Sequence, residues 1–140
     1  MIVLGIGPDD IVLAPTVTFV ASANAIRYVG AIRHFIGCDP LTGNIDAGRL
    51  EQALNDLTKL GYKPAAVMTV DVYGSCAIYS EISPISERFG VPIIEDSAEA
   101  IGATHHGERA GFLGRLGPLA STATSWSRLV EAAQSLARRP

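Results

Sequence analysis

The sequence lacks the features that mark proteins of membranes, of nucleic acids and of the secretory pathway. Its apolar runs are all shorter than the roughly 20 residues that a membrane-spanning helix needs, and its apolar start lacks the basic leader of a signal peptide. There is no basic run and the net charge is -3, which argues against nucleic acid as a partner. Only two cysteines occur, Cys38 and Cys76, and they are too far apart to suggest a metal site. We therefore expect a cytoplasmic protein with two reduced thiols.

What the chain does contain is enough apolar material for a hydrophobic core. Of its 140 residues, 48% are hydrophobic and 18% are charged, which is typical of a globular domain rather than of a disordered segment. Short apolar runs alternate with segments of helical spacing. The predicted strands cover residues 11–14, 33–36, 65–72 and 91–94, and the predicted helices cover 19–29, 47–60 and 80–89. This order predicts an α/β fold with a mostly parallel sheet and flanking helices.

Two of the predicted helices have specific sequence features. Asp46 is a favoured residue for capping the start of a helix, so the second helix is expected to begin directly after it. In the first helix Val20, Ala23 and Ile26 lie at helical spacing. This spacing favours a helix there. In the second helix Leu50, Leu54 and Leu57 are predicted to form the buried stripe.

Polar residues follow three of the predicted strands, at the sheet edge where ligands bind in open α/β folds. Asp96 is the most informative of them, because a carboxylate at the end of an apolar strand is costly to bury without a partner. A protonated ring nitrogen of a bound cofactor would be one such partner. Asp96 could instead cap a following helix or pair with an arginine, and the residues by themselves favour that interpretation.

Three further features near this edge each allow two interpretations. Glu99 could contact a ligand, or it could be an acid in the first turn of a helix. Phe19 could stack on a flat ring, or it could belong to the core. The pair His105-His106 suggests a metal site, but adjacent strand residues face opposite ways, which favours a solvated turn. In each case the residues by themselves favour the second interpretation.

Several segments, taken in order, resemble one family of enzymes. They are residues 5–10, 18–26, 28–31 and 39–46, then Val70-Asp71-Val72-Tyr73-Gly74, the stretch 90–100 with Glu95-Asp96-Ser97-Ala98-Glu99 inside it, and Arg109-Ala110-Gly111. From residue 1 to about residue 116 they look like consecutive blocks of the DegT/DnrJ/StrS aminotransferases. No single block is decisive, but the ordered set is highly specific.

The resemblance implies a fragment of the large domain of the type I pyridoxal-phosphate (PLP) aminotransferase fold, in a parent enzyme that is usually a homodimer. It implies transfer of an amino group from an amino acid such as glutamate to a nucleotide-linked keto-sugar, as in polysaccharide biosynthesis. It also implies three cofactor-binding residues. Asp96 matches the acid that pairs with the pyridine nitrogen, Glu99 matches a position near the cofactor ring, and Phe19 matches the aromatic residue that stacks on it.

Two features of the family have no counterpart in this sequence. One is the upstream segment that holds the cofactor phosphate, and the other is the lysine that forms a Schiff base with PLP. The chain's lysines, Lys59 and Lys63, match no such motif, so no catalytic residue is assigned. We therefore expect a truncated and inactive aminotransferase domain. The alternatives are a non-catalytic sugar-nucleotide or cofactor-binding domain and a non-functional gene product.

The final segment, residues 117–140, does not resemble the family and is predicted to be a tail after the domain over residues 1–116. If residues 121–133 are back-translated and read one base earlier, synonymous codons give a lysine-containing segment like that of the family. This pattern suggests a frameshift near codon 120, which the genomic DNA would reveal. A tail that was not selected to pack on the sheet is expected to be poorly ordered.

Overall fold

The computed structural model describes residues 1–114, and a four-stranded parallel sheet lies at its centre. In chain order the strands are β1 (Ile11–Pro15), β2 (Ile32–Ile36), β3 (Ala66–Val70) and β4 (Ile93–Asp96). Their order across the sheet is β2-β1-β3-β4, and every neighbouring pair is parallel. β1 and β3 are buried along their whole length, as expected for central strands that are covered on both faces.

Helices connect these strands, and a small hairpin follows the last of them. The helices are α1 (Val20–Tyr28), α2 (Ala47–Lys59) and α3 (Tyr79–Phe89), the short 3-10 turns are Ile2–Leu4 and Val72–Gly74, and the antiparallel hairpin consists of β5 (Thr104–His105) and β6 (Glu108–Arg109). The predicted α/β class, the alternation of strands and helices, and the mostly parallel sheet are therefore confirmed. The predicted tail over residues 117–140 lies outside the described residues.

The ends of three strands differ from the prediction. Pro15 is the last residue of β1 rather than the stop after it, because a strand end tolerates a residue without an amide hydrogen. β3 ends at Val70, since the chain turns immediately afterwards. β4 begins at Ile93 and extends through Asp96, which pairs in register with Val70. The predicted site residue Asp96 is therefore the last residue of the strand, which agrees with its predicted place at the end of an apolar strand.

The sheet buries a hydrophobic cluster on each of its two faces. On one face α2 and α3 pack over strand residues such as Leu13 and Val67. On the other face α1 packs over the intervening residues, such as Val12. Successive side chains of a strand point to opposite faces, so the last two residues of β4 separate. Glu95 points to the face of α2 and α3, and Asp96 points to the face of α1.

α2 begins and packs as predicted. The side chain of Asp46 accepts the amide hydrogen of Arg49 at 2.8 Å, which caps the first turn. Leu50, Leu54 and Leu57 lie on one face of the helix and are all buried in the cluster. At 13 residues α2 is the longest helix in the described part of the chain, and no helix there is suited in length and hydrophobicity to crossing a membrane.

The apolar spacing of α1 does not by itself show which face of the helix is buried. Ile26 is buried, but its buried neighbour one turn earlier is Ser22, and Val20 is 65% exposed. Ser22 is turned inward because its hydroxyl donates a hydrogen bond to the carboxylate of Asp96. A polar contact, which an apolar repeat does not reveal, therefore sets the rotation of this helix.

Candidate functional site

Asp96 lies at the carboxyl edge of the sheet, beneath the first turn of α1. Its Oδ2 atom accepts a hydrogen bond from the Ser22 hydroxyl at 2.6 Å, and its Oδ1 atom accepts the amide hydrogen of Ala98 at 3.2 Å. The contact with Ser22 arises because α1 begins shortly after β1 ends, so its first residues lie over this edge. Two elements that are 74 residues apart in the chain are thereby joined at one carboxylate.

The two simpler interpretations of Asp96 do not hold in the described structure. Turns rather than a helix follow β4, so Asp96 does not cap a helix, and it accepts only one nearby backbone amide. The ion pairs within residues 1–114 all involve other acids. A carboxylate can accept about four hydrogen bonds, and Asp96 receives two from neutral donors. The partly buried carboxylate therefore keeps the capacity to accept a hydrogen bond from a cationic group.

The three predicted site residues meet at one cavity of about 120 Å³. Phe19, Asp96 and Glu99 line it, together with Ser22, Val70 and Ala98. This volume is below the roughly 300–1,000 Å³ of most ligand pockets, so the cavity would hold one ring of a ligand rather than a whole cofactor. Two larger cavities, of about 390 and 300 Å³, lie beside α3 and α2 and do not include Asp96.

Phe19 and Glu99 are available to a ligand, contrary to the simpler interpretations. Phe19 is 66% exposed at the N-terminal end of α1, so it does not belong to the core. Glu99 is exposed in a turn and not in the first turn of a helix. Its Oε2 atom accepts the amide hydrogen of Tyr73 at 3.4 Å. The structure thus places an aromatic ring and a second carboxylate at the rim of the cavity beside Asp96.

Tyr73 has an unusual backbone conformation next to Glu99. Its φ angle is 55°, in the left-handed region that few residues other than glycine adopt. Its side chain is 80% exposed. The sequence pattern of residues 70–74 does not indicate this conformation.

A second polar group, which we call the acid cluster, lies on the opposite face of the sheet. It consists of Thr69, Asp71, Tyr79 and Glu95. The Tyr79 hydroxyl lies 2.9 Å from the Thr69 hydroxyl and donates to Asp71 Oδ1 at 3.0 Å. All four side chains are buried, so the acid cluster is separated from Asp96 by the thickness of the sheet. No motif or spacing in the sequence indicates this cluster.

Three ionisable groups in or beside the acid cluster have raised pKa values, and burial is the largest cause for each. Burial raises the pKa of Asp71 to about 7, against the lowering effect of the Ala77 amide and with a further upward contribution from the charge of Glu95. Burial and then the charges of Asp71 and Glu95 raise the pKa of the Cys76 thiol to about 11, and the same causes raise the pKa of Tyr79. Cys76 and Tyr79 are therefore neutral at physiological pH.

The histidine pair lies in the hairpin. His105 is in β5, and its Nε2 atom accepts the amide hydrogen of Ser80 at 3.2 Å. His106 and Gly107 both have positive φ angles, as in a tight two-residue turn, which agrees with the predicted turn. Within residues 1–114 no group of three or more His, Cys, Asp or Glu side chains could hold a metal ion.

Both lysines lie at the other edge of the sheet from Asp96. Lys59 is the last residue of α2 and pairs with Asp56 at 3.7 Å. Lys63 precedes β3, whose first residue is Ala66. Because the strands are parallel, this region is at their amino ends, whereas Asp96 is at the carboxyl end of β4. Neither lysine can reach a ligand that contacts Asp96.

The comparisons with known proteins agree with one another. The sequence model of the DegT/DnrJ/EryC1/StrS aminotransferase family matches residues 1–123. GDP-perosamine synthase of Caulobacter vibrioides is 40% identical over 114 residues, which are 81% of this chain and 29% of that protein. The UDP-2-acetamido-2-deoxy-3-oxo-D-glucuronate aminotransferase of Pseudomonas aeruginosa is 38% identical over 107 residues, which are 76% of this chain and 28% of that protein.

Solved structures show the same similarity. A DegT DnrJ EryC1 StrS aminotransferase from Brucella abortus superposes with a TM-score of 0.78 and 38% identity, over 81% of this chain and 31% of that one. The E. coli GDP-4-keto-6-deoxy-D-mannose-3-dehydratase with bound hydrated PLP gives a TM-score of 0.71 and 27% identity, over 80% of this chain and 27% of that one. The chain thus spans less than a third of the length of these relatives.

Proposed function

Because the chain belongs to the DegT/DnrJ/EryC1/StrS aminotransferase family, we propose that it forms the part of a PLP-dependent sugar-nucleotide aminotransferase that holds the cofactor ring. The parent reaction moves an amino group from an amino acid such as glutamate to a nucleotide-linked keto-sugar. We further propose that the parent is a cytoplasmic homodimer. The observation that carries the proposal is the cavity at which Phe19, Asp96 and Glu99 meet.

The residues at this cavity fit the cofactor. Asp96 has two neutral hydrogen-bond donors and no cationic partner within residues 1–114. A partly buried carboxylate is stabilised by a nearby positive charge, and the protonated nitrogen of a pyridine ring would provide one. The Ser22 hydroxyl fixes the direction of the carboxylate. The cavity volume of about 120 Å³ suits the insertion of a ring edge.

Each side chain has a distinct proposed role. When bound, PLP would supply an electron sink for the carbon atom that gains or loses the amino group. Asp96 would hold the proton on the ring nitrogen, and Phe19 would cover one face of the ring. Glu99, oriented by the Tyr73 amide, would accept a hydrogen bond from a polar substituent of the ring. All three roles concern binding and orientation rather than attack on the substrate.

The position of the lysines favours a second candidate function for the chain alone. Lys59 and Lys63 are at the far edge of the sheet, so neither can provide the amine that would attach PLP covalently beside Asp96. We propose that the isolated chain binds the cofactor ring reversibly and does not catalyse amino transfer. In this respect it would act as a non-catalytic cofactor-binding domain.

Borohydride trapping tests this proposal. The purified chain and an Asp96→Asn variant are incubated with PLP, reduced with borohydride and mapped by mass spectrometry. Because surface amines react alike in both proteins, we expect the same low labelling of Lys59 and Lys63 in each. We also expect the wild-type chain to bind PLP in a way that dialysis reverses. A stoichiometric adduct that depends on Asp96 would show retained covalent chemistry and contradict the proposed role. Aggregation without binding would instead support a non-functional product.

A further inference from the structure

The buried carboxylate of Glu95 holds the loop that follows the hairpin. Its Oε2 atom accepts the amide hydrogens of Leu113 at 2.7 Å and Gly114 at 2.8 Å, and its Oε1 atom accepts that of Gly111. Three amide donors thus satisfy this buried carboxylate. The loop is thereby tied to the end of β4, on the face of the sheet opposite to the Asp96 side chain.

The same loop packs against β4 without space for a side chain. A Cβ atom added at Gly114 would lie 2.8 Å from the Cβ atom of Glu95 and 3.0 Å from its backbone nitrogen. Only glycine allows so close an approach of two backbones. This close packing is a separate observation from the amide hydrogen bonds. Together the two observations show that Glu95 fixes the position of the loop.

Asp71 lies next to Glu95 and has one oxygen atom without a donor. Its Oδ1 atom accepts the amide hydrogen of Ala77 at 2.9 Å and the Tyr79 hydroxyl at 3.0 Å. Its Oδ2 atom is buried and has no hydrogen-bond partner among residues 1–114. Glu95 is a neighbour of Asp71, and both its charge and a side-chain hydrogen bond with it raise the pKa of Asp71. When two hydrogen-bond acceptors face each other, a buried polar atom is left without a hydrogen bond, which costs free energy. A proton on Oδ2 would remove that cost.

We propose that Asp71 is held as a neutral acid whose Oδ2 atom donates a hydrogen bond to Glu95, and that Glu95 is the residue that positions the loop over residues 111–114. The proton comes from water during folding and returns to water when Asp71 ionises, so the two buried carboxyl groups share one proton. The shared proton stands on the described contacts alone.

The surroundings of Asp71 set the direction of its pH dependence. The titratable groups that face it are Glu95 from β4, Tyr79 from α3 and Cys76 from the preceding loop, all of which are neutral or negative. The ordinary pKa of Asp71 is 3.8, and in the fold it is about 7. Between these values the folded chain binds more protons than the unfolded chain. The stabilisation that the raised pKa of Asp71 gives to the fold is therefore complete below pH 3.8 and is lost as the pH rises through about 7.

An Asp71→Asn variant tests the shared proton, because asparagine keeps the shape and a donor but cannot ionise. Urea denaturation at pH 5 to 8 should show the wild-type unfolding constant rising by roughly 10- to 100-fold more than that of the variant. Glu87→Gln, at an exposed position of α3, is the matched control and should keep the wild-type profile. A pH profile of Asp71→Asn that matches the wild type would overturn the proposal.

A Glu95→Gln variant tests the positioning role through amide hydrogen exchange. We expect exchange at Gly111, Leu113 and Gly114 to accelerate more than about tenfold, whereas Asp71→Asn leaves these amides protected. Unchanged exchange in Glu95→Gln would refute the role of Glu95. If that variant does not fold, the pH profile of Asp71→Asn decides alone. Both experiments are done without cofactor, so their failure is distinguishable from a failure of the proposed function.

Discussion

Replacing Asp96 by asparagine is expected to weaken the binding of pyridoxamine phosphate by roughly 10- to 100-fold. A hydrogen bond to a charged group contributes about 1.5–3 kcal/mol, and about 1.4 kcal/mol corresponds to a factor of ten in affinity. Asparagine keeps the size of the side chain but removes its charge. Pyridoxamine phosphate is the suitable probe because it has the ring nitrogen of the cofactor but no aldehyde to react with surface lysines. Equilibrium dialysis measures the affinity.

The control for this prediction is the same chemical change at the other edge of the sheet. Asp56 lies on α2, and its exposed carboxylate pairs with Lys59. Asp56→Asn should leave the affinity unchanged, because exposed ion pairs of this kind contribute little to stability. Equal affinities of wild type and Asp96→Asn, with both proteins folded, would show that the carboxylate does not recognise the ligand.

Replacing Leu54 by alanine is expected to destabilise the fold by about 2–5 kcal/mol. Leu54 is fully buried between α2 and the sheet. Truncating it to alanine therefore leaves a cavity and removes apolar contacts. Since small domains have only about 5–15 kcal/mol of stability, this one substitution would remove a large part of it. Urea denaturation gives the change in free energy of unfolding.

Leu60 provides a matched control for this substitution. It follows α2 directly and is 72% exposed, so Leu60→Ala should change stability by less than about 0.5 kcal/mol. If Leu54→Ala and Leu60→Ala had equally small effects, the cluster between α2 and the sheet would not be the stabilising core that the structure shows.

Regular apolar patterns predicted most of the fold. The cap at Asp46 and the leucine stripe of α2 depend on neighbouring residues only, so local sequence determines them. The inward turn of Ser22 depends on a carboxylate 74 residues away, which no local pattern contains. For this reason the apolar spacing of α1 does not show its buried face. The strand ends differ from the prediction where pairing with a neighbouring strand decides them.

The family resemblance predicted which residues form the site, but their residue types alone did not predict a role in binding. Asp96, Phe19 and Glu99 were assigned through the family resemblance, while their residue types and spacing alone favoured ordinary structural roles. The structure brings them to one cavity, and their roles toward the cofactor stay predictions. The acid cluster could not be foreseen, because Asp71 and Glu95 look like ordinary strand-end acids. Their burial depends on a loop and a helix contributed from elsewhere in the chain.

The most direct test is whether Asp96 acts as the counter-charge of a ring nitrogen. The ¹⁵N chemical shift of pyridoxamine phosphate labelled at that nitrogen reports whether it carries a proton. At a pH where the nitrogen of the free ligand is unprotonated, we predict a protonated nitrogen on the wild-type chain and an unprotonated one on Asp96→Asn. The same protonation state on both proteins would contradict this assignment.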